Sequence, residues 1–129
     1  MGDLTLLDGA WAVCRLAPDA PVPALPDGAA FACVARTADE LSVVVPESQA
    51  PPGARVEGGW RVLQVAGPLD LTATGVLAAL ADPLARAGVP VFPIATFDTD
   101  WLLVPGARLG QAVGALRAAG HRVTRPAAA

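Results

Sequence analysis

Two short polar clusters interrupt an otherwise apolar chain: Asp70-Leu71-Thr72-Ala73-Thr74-Gly75 and Thr96-Phe97-Asp98-Thr99-Asp100. The first precedes a run with helical spacing. A helix start offers unbonded N–H groups and the positive end of a dipole, which suit a carboxylate. The donors there are the amides around Thr74, Gly75 and Val76, and Gly75 lets a ligand come close to the backbone. In the second cluster Asp98 and Asp100 are expected to point to opposite faces of an extended segment. Asp100, placed on the side of Thr96, is expected to be the one that faces a ligand, where an ammonium or guanidinium group is its natural partner. One donor nest plus one carboxylate fits a zwitterionic amino acid. Without a ligand, the same residues read as a helix cap at Thr72 or Thr74 and a polar turn over 98–100.

Other chemistries find no residues. Asp98 and Asp100 have the Asp-x-Asp spacing of phosphatases that form an aspartyl-phosphate, but those need a Thr or Val two places on and a later Lys. Here Leu102 holds that place and the chain contains no Lys. A Gly-rich phosphate loop, an HExxH pair and a Ser-His-Asp set are all missing from the sequence. Neither catalysis nor a cofactor or metal is expected. A net charge of −3 argues against nucleic acid, which needs a basic stripe. No apolar run reaches the roughly 20 residues that span a bilayer, and the first residues lack the basic and apolar segments of a signal peptide. A cytoplasmic location without a membrane partner is therefore expected. Cys14 and Cys33 lie in apolar strand-like runs without CxxC spacing and read as reduced thiols packed as small hydrophobes. Trp11, Trp60 and Trp101 read as packing residues. His121, with no second His or nucleophile beside it, is expected at the surface.

These clusters need elements to hold them. Strands are expected over 4–7, 11–16, 31–37, 41–45, 60–66, 89–95, 101–104 and 121–124. Residues 17–30 and 46–59 read as connections, and 38–40 as a hairpin in which Asp39 and Glu40 are plain turn residues. A helix is expected from Thr72 or Thr74, with the stripe Val76, Leu77, Leu80, Ala81 and Leu84. Pro83 should kink or restart it, and Gly88 should end it. Leu109, Ala112, Val113 and Leu116 define a last helix closed at Gly120, and 126–129 reads as a frayed tail. The second half is thus β-α-β-β-α-β, the split βαβ order. The first half repeats its skeleton: Thr37-x-Asp39 and Val43-Val44-Val45-Pro46 recur as Thr96-x-Asp98 and Leu102-Leu103-Val104-Pro105, fifty-nine positions on. Two units are expected, 1–59 degenerate and 60–129 complete, forming a pseudo-dimer.

The tandem order, the loop Gly67-Pro68-Leu69-Asp70 through Thr74-Gly75, and the run from Ile94 to Val104 resemble the ACT domain family. More narrowly, the chain resembles small bacterial stand-alone proteins with two ACT units, of the branch shared with the animal cytosolic arginine sensors. The resemblance implies an α+β fold of two ferredoxin-like units in tandem with antiparallel sheets, the first unit with reduced helices. It implies a non-catalytic regulatory or sensor protein that binds an amino acid at the interface of two ACT units. The family's loop glycine and following aliphatic correspond to Gly75 and Val76, and the Thr-Phe-x-x-Asp of the sensor branch to Thr96, Phe97 and Asp100. With the residues argued above, the ligand set is Asp70, Thr74, Gly75, Val76, Thr96, Phe97, Asp98 and Asp100. Ala73 stands where the arginine-sensing branch places an acidic residue, which argues against arginine unless Asp70 takes that part. A homodimer or a regulated protein is the implied partner. The alternative function is a ligand-free interaction or oligomerisation module of the same fold.

Overall fold

Among the described residues, runs of β-branched and aliphatic residues form eight strands, and two α-helices follow the apolar stripes. The computed structural model describes residues 2–125; the tail expected at 126–129 lies outside them. In order, the elements are β1 (Asp3–Leu6), β2 (Trp11–Leu16), β3 (Cys33–Arg36), β4 (Leu41–Pro46), β5 (Arg55–Val65), α1 (Val76–Arg86), β6 (Phe92–Ala95), β7 (Asp100–Pro105), α2 (Leu109–Ala118) and β8 (Arg122–Thr124). They divide into two compact units. One is Gly9–Trp60; the other joins the residues up to Asp8 with those from Arg61 onward.

That division departs from the expected break at 59/60, because β1 is built into the C-terminal unit. It pairs antiparallel with β5 (Leu4 opposite Val65, Leu6 opposite Leu63) and parallel with β8 (Leu4 opposite Val123). The parallel pair makes a sheet mixed that the sequence leads one to expect antiparallel. Beyond β5 the sheet continues through β7 to β6. From β5 to β8 the order is the β-α-β-β-α-β that the sequence predicts.

The core of this unit joins Leu4, Leu63, Val65, Leu102 and Val104 of the strands to Leu80, Leu84, Ala112 and Leu116 of the helices. The buried face of α1 is narrower than the expected stripe: Leu80 and Leu84 are fully covered, whereas Leu77 is 41% exposed. Pro83 lies inside α1 without dividing it. Both helices end in the same hydrogen-bond pattern, with Val89 N–H donating to Leu84 O and Gly88 N–H to Ala85 O, then His121 N–H to Leu116 O and Gly120 N–H to Arg117 O. This pattern satisfies the last carbonyls and turns the chain back under the helix.

In the Gly9–Trp60 unit, β4 pairs antiparallel with β2 and with β3. Residues 55–60 of β5 pair with β2, Arg55 opposite Arg15 and Trp60 opposite Trp11. The strand therefore begins at Arg55, five positions before the expected start, inside a segment read as connection. Ala12, Cys14, Leu41, Val43 and Val45 form the core. Trp11 is buried and its indole N–H donates to Phe31 O at 2.8 Å. Both cysteines are free, Cys14 buried and Cys33 half-buried. Burial pushes both thiols up, partly opposed at Cys33 by a hydrogen bond with the Val44 backbone. Among the described residues this unit has no α-helix, only a 3-10 turn at Glu47–Gln49.

The repeat is explicit in the registers. Cys33 opposite Val44 through Arg36 opposite Leu41 recurs as Phe92 opposite Leu103 through Ala95 opposite Asp100. Glu47–Gln49 recurs as the 3-10 turn Gly106–Arg108. Thr37 N–H donates to Glu40 O, as Thr96 N–H does to Thr99 O, each at 2.9 Å.

Candidate functional site

The two polar clusters meet in the C-terminal unit because their backbones are tied together. Leu69 N–H donates to Asp98 O at 2.6 Å, and the buried hydroxyl of Thr99 donates to Val65 O at 2.7 Å. Gly67 is needed for this approach. A Cβ there would fall 2.9 Å from Asp98 O and 3.0 Å from Thr99 Cβ, so any side chain would push the loops apart.

Residues 96–99 are the turn of the β6–β7 hairpin. Thr96 Oγ1 donates to Thr99 O and accepts from the Trp101 indole N–H, both at 2.9 Å. Asp98 is on the turn and Asp100 heads the strand. The expectation that they point to opposite faces is corrected: positions two apart in an extended segment share a face, and both residues line the same cavity.

In the other loop, Asp70 Oδ1 accepts from Thr72 N–H at 2.9 Å and from the Thr72 hydroxyl at 2.8 Å. The Thr72 N–H, then its hydroxyl, hold the Asp70 carboxyl below its usual range. The folded-state value is lowered, so this loop contact is present at neutral pH and is lost only as pH falls through the lowered range. Neither threonine caps α1. Gly75 occupies the N-cap with φ 80°, and no side chain bonds the first turn. The left-handed conformation belongs to glycine, and the Thr72 hydroxyl is occupied by Asp70. The first helical bond is Ala79 N–H to Gly75 O at 3.0 Å. The amides that precede it have no intrahelical acceptor, as at any helix start.

A cavity of about 120 Å³ lies between the loops, lined by Leu69, Asp70, Leu71, Ala73 and Val76 on one side and by Thr96, Phe97, Asp98, Thr99 and Asp100 on the other. It brings together Asp70, Val76, Thr96, Phe97, Asp98 and Asp100 of the expected set. Thr74 and Gly75 fall outside it. They line a second cavity of about 230 Å³ with Ala79, Leu80 and His121, and Val76 borders both. Three carboxylates and no Arg line the smaller cavity, whose mouth carries the exposed side chains of Phe97 and Leu71, 79% and 68% accessible. Within the two sequence motifs, Thr99, Gly67 and Leu69 carry no expected role of their own. A glycine two residues before Leu69, and a threonine inside the second cluster, were the available signals.

His121 is also corrected. It is buried, with Nδ1 accepting from Gly2 N–H and Nε2 on Ala79 O, each at 3.0 Å. In the other unit, fifty-nine positions before Asp100 stands Leu41, fully buried, and among the described residues no α-helix follows β2.

A mixed sheet carrying two helices in β-α-β-β-α-β order, with the loop before the first helix laid against the hairpin turn, defines a small ferredoxin-like α+β module, and the chain belongs to the ACT domain family. The ACT domain model matches residues 55–118, and a second model, of an N-terminal domain, matches 9–52. A crystallographic structure of a protein from Agrobacterium tumefaciens is 33% identical, with a TM-score of 0.89 over 98% of this chain and 95% of that one. The regulatory subunit of aspartate kinase from Thermus thermophilus shares the fold at 15% identity, TM-score 0.62, over 91% of this chain and 97% of that one. The human protein named cytosolic arginine sensor for mTORC1 subunit 1 is 36% identical over 59 residues, which is 45% of this chain. Only 18% of the sensor's own length is covered.

Proposed function

We propose that this protein is a non-catalytic regulatory sensor that binds a free amino acid in the cavity between the 67–75 loop and the 96–99 turn, in the cytoplasm. One observation carries the reading: Val76, the first residue of the uncapped α1, borders one small cavity with Asp98 and Asp100. The Val76 amide, without an intrahelical acceptor at the helix start, receives the ligand's carboxylate, and Asp100, half-buried at the head of β7, receives its ammonium. Thr96 Oγ1 and Asp70 Oδ1 shape the two loops, since they already bond Thr99, Trp101 and Thr72. At about 120 Å³ the cavity is small beside the roughly 300–1,000 Å³ of typical ligand sites. It takes the head group and leaves the side chain at the mouth.

The ligand class follows from charge. Three acidic residues without a basic one favour a cationic amino acid, and the relatives named as cytosolic arginine sensors support the same class. Ala73 leaves Asp70 as the acidic group of the first loop for that purpose. Ligand at the mouth alters the rim of Phe97 and Leu71, which a second copy or a regulated protein then reads. The exposure of those two side chains also favours a second reading, in which the rim is a protein contact and the cavity stays empty.

Thermal unfolding against the twenty amino acids separates the two. L-Arginine or L-lysine at a hundred times its dissociation constant is expected to add about 2.7 kcal/mol, a rise of several degrees in Tm. A flat response to the whole panel would leave the protein-contact reading in its place.

A further inference from the structure

We propose that His121 is the positioning residue of this binding site, replacing the hydrogen bond that Pro83 removes from α1. In a regular helix the Ala79 carbonyl accepts from the N–H four residues on. That residue is Pro83, which has no N–H. The vacancy is met from outside the helix, by the His121 ring at 3.0 Å from Ala79 O. Geometry assigns the tautomer. Ala79 O can only accept, so Nε2 carries the hydrogen; Gly2 N–H can only donate, so Nδ1 is bare and accepts, at 3.0 Å. The ring is 7% exposed. It is delivered there by the turn that ends α2, where His121 N–H bonds Leu116 O.

Ala79 is also the residue whose N–H closes the first turn of α1 on Gly75 O. His121 therefore fastens, through the two peptide groups of one residue, the turn whose first residue, Val76, borders the candidate cavity. It ties that turn to the start of β1 and the end of α2 together. This inference rests on the amino-acid reading of the site. It adds a residue that touches no ligand in the smaller cavity, yet fixes where the helix start points.

A double-mutant cycle isolates the bridge, because Pro83→Ala restores an N–H for Ala79 O and makes the histidine bond redundant. L-Arginine is titrated calorimetrically into the full chain and its variants. His121→Leu is expected to weaken binding about tenfold. His121→Gln, which offers both a donor and an acceptor, should stay within about threefold. In the Pro83→Ala background, His121→Leu should also cost no more than about threefold. An equal loss in both backgrounds would reduce His121 to packing, and no loss in either would remove it from the site. Either result overturns the proposal. If the wild type does not bind L-arginine, the ligand reading fails separately, and amide hydrogen exchange at Ala79 decides the bridge. Faster exchange in His121→Leu but not in the double variant upholds it; equal exchange in both overturns it.

Discussion

Leu84→Ala is expected to lower the unfolding free energy by about 2–5 kcal/mol, against a total of about 5–15 kcal/mol for a domain. Leu84 is fully buried in the core that joins α1 to the sheet, among Leu80, Leu102 and Leu116. Its carbonyl takes the Val89 N–H that ends the helix, so collapse around the lost side chain is restrained from both directions. Truncation leaves a cavity that the sheet, held by Leu63, Val65 and Val104, cannot fill by moving. Urea denaturation at unchanged m-value is the check. A loss under about 1 kcal/mol would mean that α1 does not pack on the sheet as described, and the placement of its first turn would fall with it.

Asp100→Asn carries the largest expected effect on binding. The substitution keeps shape and hydrogen-bonding reach while removing the charge, so a charge-assisted contact worth about 1.5–3 kcal/mol is lost and L-arginine binds about 10–100-fold more weakly. Asp39→Asn is the matched control. Asp39 occupies in the other unit the turn position of Asp98, its backbone N–H and that of Glu40 bonded by the Thr37 hydroxyl, and among the described residues no α-helix follows β2. Calorimetric titration of the two variants should therefore give a weakened and an unchanged affinity. Equal affinities would remove Asp100 from the site.

The parts of this architecture legible in the sequence are those written in local pattern. β2 is found where Trp11 to Leu16 predicts it, and the repeat of Thr37-x-Asp39 at Thr96-x-Asp98 is matched by identical hairpin registers. The parts that were not legible depend on distant partners. β1 reads as the first strand of the first half, but its hydrogen bonds are to β5 and β8, which no window of residues reveals. Residues 55–59 look like a polar connection because they are exposed; they are strand through backbone pairing with β2. Thr72 and Thr74 fit the preferences of a cap, and lost the position to Gly75, whose left-handed backbone starts the helix without one. His121 carries no local sign of burial. Its partners are a carbonyl orphaned by Pro83 and an amide at the other end of the chain. At the site, the residue types were legible, whereas their sorting into two cavities on either side of Val76 required the fold.

Amide chemical shifts of the full chain, followed by NMR as L-arginine is added, test the central claim most directly. Saturable changes that converge on residues 69–79 and 95–100, with the Asp39 turn unmoved, are expected. Changes confined to surfaces away from those two loops, or an unperturbed spectrum at millimolar ligand, would contradict it.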